Sequence, residues 1–303
     1  MIFVAASLLC CFATSITVFT CARLFQGIGG AGGIVLSRSI AADLYSGKEL
    51  AKLIAILSAI NNLAPVAAPV TGGCVAHAWG WQGIFVILLA LGVILLALSW
   101  VLHESLGREK RFTGIVASVR GDKIVLGVKG FPAYSLMYAM AMAALFAYIS
   151  ATPFIVQEVF GYSELQFSLV FATNAIALAA GSALSLRFRT MSKAAVCGTV
   201  IGSAFAAAGI VSVVCGISSF IAYEVPTFLM LFGIGLVLTG STSHAMNLGR
   251  NCAGAASAVI GGIGYITGGL VSPLAGIGNI CITSNVLCLI FLFSGVIVWK
   301  VKG

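Results

Sequence analysis

Charge is what this sequence has least of. Only 8% of its 303 residues are Asp, Glu, Lys or Arg while 60% are hydrophobic, and mean hydropathy is +1.13. A soluble domain carries about 25% charged residues, so a water-compatible surface is excluded and the chain is read as an integral membrane protein. Other absences narrow the class. No alternating ten-residue segments occur, which excludes a transmembrane β-barrel. The nine cysteines form no C-x-x-C or Cys/His spacing, so no metal site is expected and most of them read as small packing residues. His77, His103 and His244 fall at helix ends or loops, HESL at 103 to 106 is not H-E-x-x-H, and no nucleophile, base and orienter cluster emerges. An enzyme is therefore not expected.

What is present is apolar length. A helix needs about 20 apolar residues to cross the bilayer core, and helices satisfy their own backbone there. Ten such stretches predict an all-α membrane fold with spans near 1–16, 18–38, 51–76, 82–102, 133–156, 164–186, 194–215, 220–243, 252–275 and 280–300. The first could pass for a signal peptide, but it lacks a basic leading region and no soluble domain follows. It is expected to be a spanning helix that begins abruptly, with no cytoplasmic leader. Residues 1–102 are then a four-helix N-terminal bundle, 103–132 a basic linker, and 133–303 a C-terminal six-helix bundle.

The formal charge of +8 raises the question of nucleic acid, and its placement answers it. With the ten helices laid end to end, Arg38, Lys48 and Lys52, the six cations from Arg108 to Lys129, Arg187, Arg189, Lys193, Arg250, Lys300 and Lys302 all share one side. The opposite loops have none. By the positive-inside rule the basic side, with both chain ends, is cytoplasmic. The linker's interleaved Val and Ile leave open whether part of it lies along the inner membrane surface or is simply solvated.

Arg23, the remaining cation, falls inside a helix with Gln26 close behind. A charge at such depth costs about 2 to 3 kcal/mol unless it meets water or a partner. It either snorkels to the outer interface or serves a cavity or gate. The glycines after it, GIGGAG at 27–32, match G-x-G-x-x-G by letter, but with no strand before them the dinucleotide reading fails. Gly29 and Gly33 instead spell small-xxx-small, which lets helix backbones approach closely.

Asn61, Asn62 and Asn174 sit near the bilayer midplane by residue count, where an amide must pair with another helix or line a polar cavity. Tyr148 and Tyr265 are also mid-helix. They join the asparagines as candidate cavity residues, with core packing the simpler account of both. Among the eight acids none sits clearly at the midplane, and Glu224, near the outer end of a helix, is the only weak candidate for an intramembrane proton carrier. NNLAPVAAPVTGG, residues 61–73, places Pro65 and Pro69 inside a membrane-length helix, followed by Gly72 and Gly73. Prolines there bend the helix and glycines admit a close neighbour, so the stretch reads as a gate or as a plain packing kink. AAPVTGG and the later LVSPLAG each put P-x-x-G late in a small-residue helix, a faint internal repeat of the kind two-bundle transporters show.

These motifs together resemble the major facilitator superfamily, and within it the bicyclomycin-resistance (Bcr/CflA) drug efflux group. RLFQGIGGAGG is similar to the family's fourth-helix R-x-x-Q-G motif, carried by Arg23, Gln26 and Gly27. NNLAPVAAPVTGG resembles the fifth-helix antiporter motif, carried by Pro65, Pro69, Gly72 and Gly73, with Ala68 where the broad form has glycine. HESL resembles the E-T-L stretch after the sixth helix, residues 146–182 resemble the seventh and eighth helices, and NCAGAASAVIGGIGY the opening of the eleventh.

The resemblance implies a two-bundle fold containing family helices 3 to 12. The first two helices, the D-R-x-G-R loop and the first-helix proton-carrying acid are missing. It implies a secondary transporter of the bacterial inner membrane that exports amphipathic drugs by proton antiport through alternating access. The proton is the coupling ion, with no cofactor, and the carrier is a monomer. Arg23 would support proton transfer with the absent acid, and Asn61, Asn62 and Asn174 would sit where the halves meet. Two alternatives stay open: a non-functional truncated remnant, or a carrier of another small solute.

Overall fold

The computed structural model describes residues 1–44, 47–101, 124–216, 219–249 and 253–302, with the side chains of 34–36, 38–39, 41–44, 47–67, 69–70, 253 and 296–302 outside the description. Most of the linker, 103–123, and residues 251–252 of the eleventh-helix motif therefore lie outside it. The chain divides into two units, Met1–Thr113 and Gly114–Gly303. Among the described residues all regular structure is helical, as the composition requires.

The first unit contains α1 (Ile2–Cys11), α2 (Ile16–Leu44) and α3 (Gly47–Val101). The third is two helical arms joined at Gly80, whose φ of 71° and ψ of −179° no other residue type adopts comfortably. The arms correspond to the two spans expected at 51–76 and 82–102. The expectation for the first helix needs correction. α1 has ten residues, about 15 Å, and ends at Cys11 rather than near 16. Helix stops at Cys11 because Ser15 is committed to the next element: its hydroxyl accepts the Val18 N–H at 3.3 Å and caps α2.

α1 packs on both α2 and α3. Its Phe3 is the wedge: a Cβ built on Gly29 of α2 would stand 2.6 Å from the Phe3 nitrogen, and one on Gly92 of α3 2.9 Å from the Phe3 ring. The small-residue contact expected of Gly29 is thus made, whereas a Cβ on Gly33 or Gly27 would meet nothing within 4 Å among the described residues. Phe19, Trp81 and Phe85 stand edge to face with centroids 5.2 to 6.0 Å apart and close a small core with Cys10 and Ala22. The second arm of α3 turns Val86, Leu91, Leu95, Leu98 and Trp100 outward, a surface suited to lipid.

The second unit contains α4 (Phe131–Phe154), α5 (Glu164–Ser185), α6 (Met191–Val214), α7 (Phe220–Leu248), α8 (Ala253–Val271) and α9 (Ile280–Lys302). α4 is its centre, burying Ala139, Ala141, Ala143, Ala144, Ala147 and Ala151 where α7, α8 and α9 press against it. Pro153 cannot donate its backbone hydrogen bond, and the helix widens after it into a π-turn at Ile155–Val159. Ser163 and Gln166 form a capping box that starts α5. α7 lies chiefly on α6 and α5, close enough that a Cβ on Gly233 would stand 2.6 Å from the Gly202 nitrogen. α8 gives way at Ser272–Gly276 to a 3-10 turn around the repeat's second proline, where Ser272 hydrogen-bonds Ser150 of α4. The segment before α4, assigned to the linker, is partly core: Val125 packs with Phe131, Met137 and Ile260.

Six helical stretches in the described residues are long and apolar enough to cross a membrane: Thr71–Val101, Phe131–Val159, Glu164–Ser185, Met191–Val214, Phe220–Leu248 and Gly254–Gly276. Ile2–Cys11 and Ile280–Gly295 are shorter apolar helices. The chain is a multi-pass membrane protein.

Candidate functional site

Two polar clusters stand out against the apolar background, one in each unit. In the first, Arg23 lies seven residues beyond the start of α2, about 10 Å along the helix. One turn on, Gln26 sits on the same helix face, and the Arg23 guanidinium donates to its Oε1. Gln26 is only 2% exposed, and its Nε2 donates to Ser7 Oγ at 2.7 Å. Ser7 in turn donates to the Phe3 carbonyl at 2.7 Å. The guanidinium also lies over the Phe85 ring, 5.5 Å from its centroid. A buried amide fixed at both ends thus sets the position of a charge whose carbon lies against an aromatic face. Sequence reasoning picked out Arg23 and Gln26 but missed Ser7 and Phe85, which have no local signal: one is a serine in an apolar helix, the other a phenylalanine among 19.

The second cluster joins α4, α5 and α7. Tyr148 of α4 and Asn174 of α5, both singled out as midplane polar residues, are brought together. Tyr148 is 4% and Asn174 1% exposed. Phe171, one turn before Asn174, stacks on the Tyr148 ring with centroids 5.8 Å apart and planes 23° from parallel. Glu224 of α7 completes the group, and the Asn174 amide lies close enough to act on both its carboxyl and the Tyr148 hydroxyl. The Tyr148 hydroxyl, both polar atoms of Asn174 and both carboxyl oxygens of Glu224 are buried, and among the described residues none reaches hydrogen-bond geometry with a protein partner. Such groups are rare, because each forgoes about 1 to 3 kcal/mol.

The remaining candidates fall elsewhere. Tyr265 is 55% exposed, sets its ring edge-on to Phe146 at 6.3 Å, and joins neither cluster. Gly72 and Gly73 are partly exposed in the first arm of α3, and a Cβ on Gly72 would meet nothing within 4 Å among the described residues. The side chains of Asn61, Asn62, Pro65 and Pro69 lie outside the described residues.

Helical units with polar groups set inside apolar bundles define the class as a polytopic membrane protein. The family model of the Major Facilitator Superfamily matches residues 1–273, and the chain belongs to that superfamily, whose members are transporters and not enzymes. It is 34% identical over 284 residues to the Uncharacterized MFS-type transporter YdgK of Bacillus subtilis (strain 168), covering 92% of this chain and 71% of that protein. To Multidrug resistance protein D of Escherichia coli (strain K12) it is 27% identical over 283 residues, covering 90% and 69%. To the Bicyclomycin resistance protein homolog of Haemophilus influenzae (strain ATCC 51907 / DSM 11121 / KW20 / Rd) it is 28% identical over 180 residues, covering 58% and 45%. Among solved structures, the inward-facing, occupied bacterial homolog of the human lysosomal transporter Spinster shares the fold, with a TM-score of 0.68 at 18% identity over 99% of this chain and 80% of that one.

Proposed function

We propose that this chain is a secondary active transporter of the bicyclomycin-resistance type that exports hydrophobic and amphipathic drugs from a bacterium by proton antiport through alternating access. The observation that carries the proposal is the Arg23–Gln26–Ser7 network. The fourth-helix motif is present as letters and also as a built device, with the arginine held by its motif partner and that partner anchored on a neighbouring helix. The names of its multidrug and bicyclomycin-resistance relatives support the substrate class. The one-sided placement of Lys and Arg supports an inner-membrane location with both chain ends cytoplasmic. The proton is the coupling ion, no cofactor is needed, and the carrier works as a monomer.

The test is efflux. The gene is expressed in its natural reading frame, with any coding sequence that precedes Met1, in cells lacking their own drug pumps. Retention of a fluorescent amphipathic dye is then followed with and without a protonophore. Lowered retention that the protonophore restores is the expected result. Unchanged retention for every hydrophobic compound tried would sink the drug reading, and movement of a different solute would assign the chain to another substrate.

A further inference from the structure

The Glu224 cluster is not absorbed by the arginine network, and its chemistry points in one direction. The acid residue is half-buried, but both of its oxygens are fully buried in the outer part of α7, two residues before Pro226. What faces it can be named element by element. α4 contributes the Tyr148 hydroxyl and α5 the Asn174 amide, while its own helix contributes Tyr223. The Thr152 and Thr227 hydroxyls donate their protons to the Tyr148 and Tyr223 carbonyls, at 2.6 and 2.8 Å, and keep only acceptor capacity toward the cluster. Cys281, at the start of α9, acts on Tyr223.

α6 carries Lys193 and Cys197 in its first two turns, but α6 and α7 are consecutive and α7 starts where α6 ends, so these lie at the far end of the pair. Arg187 and Arg189 precede α6 and Lys129 precedes α4, again at that far end. Tyr265 of α8 is exposed, as are Glu158, Glu164 and Cys215. Among the described residues of the second unit, then, no lysine or arginine faces the Glu224 carboxyl.

We propose that Glu224, Asn174 and Tyr148 form a proton-binding site within the second unit, with Glu224 taking up and releasing the proton. A buried carboxylate is tolerated only when hydrogen-bonded or matched by a positive charge, and a proton supplies the match where no lysine or arginine does. Asn174 suits the exchange because an amide partners both states. Its Oδ1 accepts from a protonated carboxyl, and its Nδ2 donates to a carboxylate. The Tyr148 hydroxyl has the same double capacity. Uptake forms an O–H bond on a Glu224 oxygen with a proton from water; release breaks that bond, returns the proton to water and leaves the electron pair on the carboxylate. The site rests on the antiporter reading only for its use in coupling, since proton binding is measurable without transport.

The experiment is an infrared titration of the full chain in lipid bilayers, following the carbonyl stretch of protonated carboxyl groups. A band that fades as pH rises, and is missing in Glu224→Gln, is expected. Asn174→Leu should move the midpoint by about one pH unit or more, and Tyr148→Phe should move it less. Thermal melting of each variant in the same lipid establishes that the band is compared between folded proteins. Identical titrations for the wild type and Glu224→Gln would overturn the site, and an unmoved midpoint in both Asn174→Leu and Tyr148→Phe would overturn the assignment of its partners. A Glu224 band in a protein that exports no drug sinks the transport reading alone. Protonophore-sensitive export without the band sinks this site alone.

Discussion

Gln26 donates to the Ser7 hydroxyl at 2.7 Å across nineteen residues of sequence, and that hydroxyl passes the constraint to the Phe3 carbonyl. The pair converts a motif on one helix into a contact between two. It also gives Arg23 a partner on the neighbouring turn, where the resemblance alone assigned it to an acid on the family's first helix. Ser7→Ala leaves a buried amide hydrogen unpaired and should cost about 1 to 3 kcal/mol of stability. Gln26→Leu removes the acceptor that holds the guanidinium and should abolish dye export even where the protein still inserts. Melting in detergent and whole-cell efflux separate the two effects, and full export by Gln26→Leu would show that the network only packs α1 on α2.

The two glycines of the small-residue motif should behave differently. A Cβ on Gly29 would collide with the backbone of Phe3, which cannot swing aside, whereas one on Gly33 meets nothing within 4 Å among the described residues. Gly29→Leu should therefore destabilise the first unit by about 1 to 3 kcal/mol or prevent accumulation in the membrane, and Gly33→Leu should melt like the wild type. Equal melting of the two variants would contradict the packing of α1 against α2.

Gly80 sits at the corner of α3 with φ of 71° and ψ of −179°. That region is essentially closed to residues with a Cβ, so Gly80→Ala should cost about 1 to 3 kcal/mol. Thermal melting checks it. The neighbouring Gly83, which lies within the second helical arm, is not a fair control, because a Cβ there would stand 2.8 Å from Trp79.

The sequence made the helices plain because a bilayer demands long apolar runs, and the pause at His77 to Trp81 separated two spans that the backbone does divide, at Gly80. It ran α1 on too far, because Phe12, Ala13 and Ile16 continue the apolar pattern while Ser15 has another use as a cap. For the sites, polarity in an apolar helix was enough to find Tyr148 and Asn174. It also selected Tyr265, which lies outward, because a helix apolar on every side hides which face meets protein and which meets lipid. Glu224 was legible only as an acid in an unusual place; its tie to Asn174 and Tyr148 joins three helices and has no trace in local spacing. Phe85 could not have been chosen from the sequence, since its role depends on where α3 lies beside α2.

The proline and glycine stretch of α3 leads to the last prediction. Gly72 lies in the first arm with open space where a side chain would go, among the described residues, so nothing in this arrangement requires glycine for packing. If the stretch serves as a gate, a neighbour must reach Gly72 in another state of the transport cycle, when a leucine there would hold the contact open. Gly72→Leu should then insert and melt like the wild type, because it disturbs nothing in the state described, yet lose export. The measurement pairs detergent melting with dye retention in the same cells. Loss of stability would show that Gly72 is already packed, and retained export would show that the close approach never happens. Pro69→Leu should give the same loss of export by straightening the helix, and a Gly72→Ala variant, which adds only a methyl group, should keep part of it.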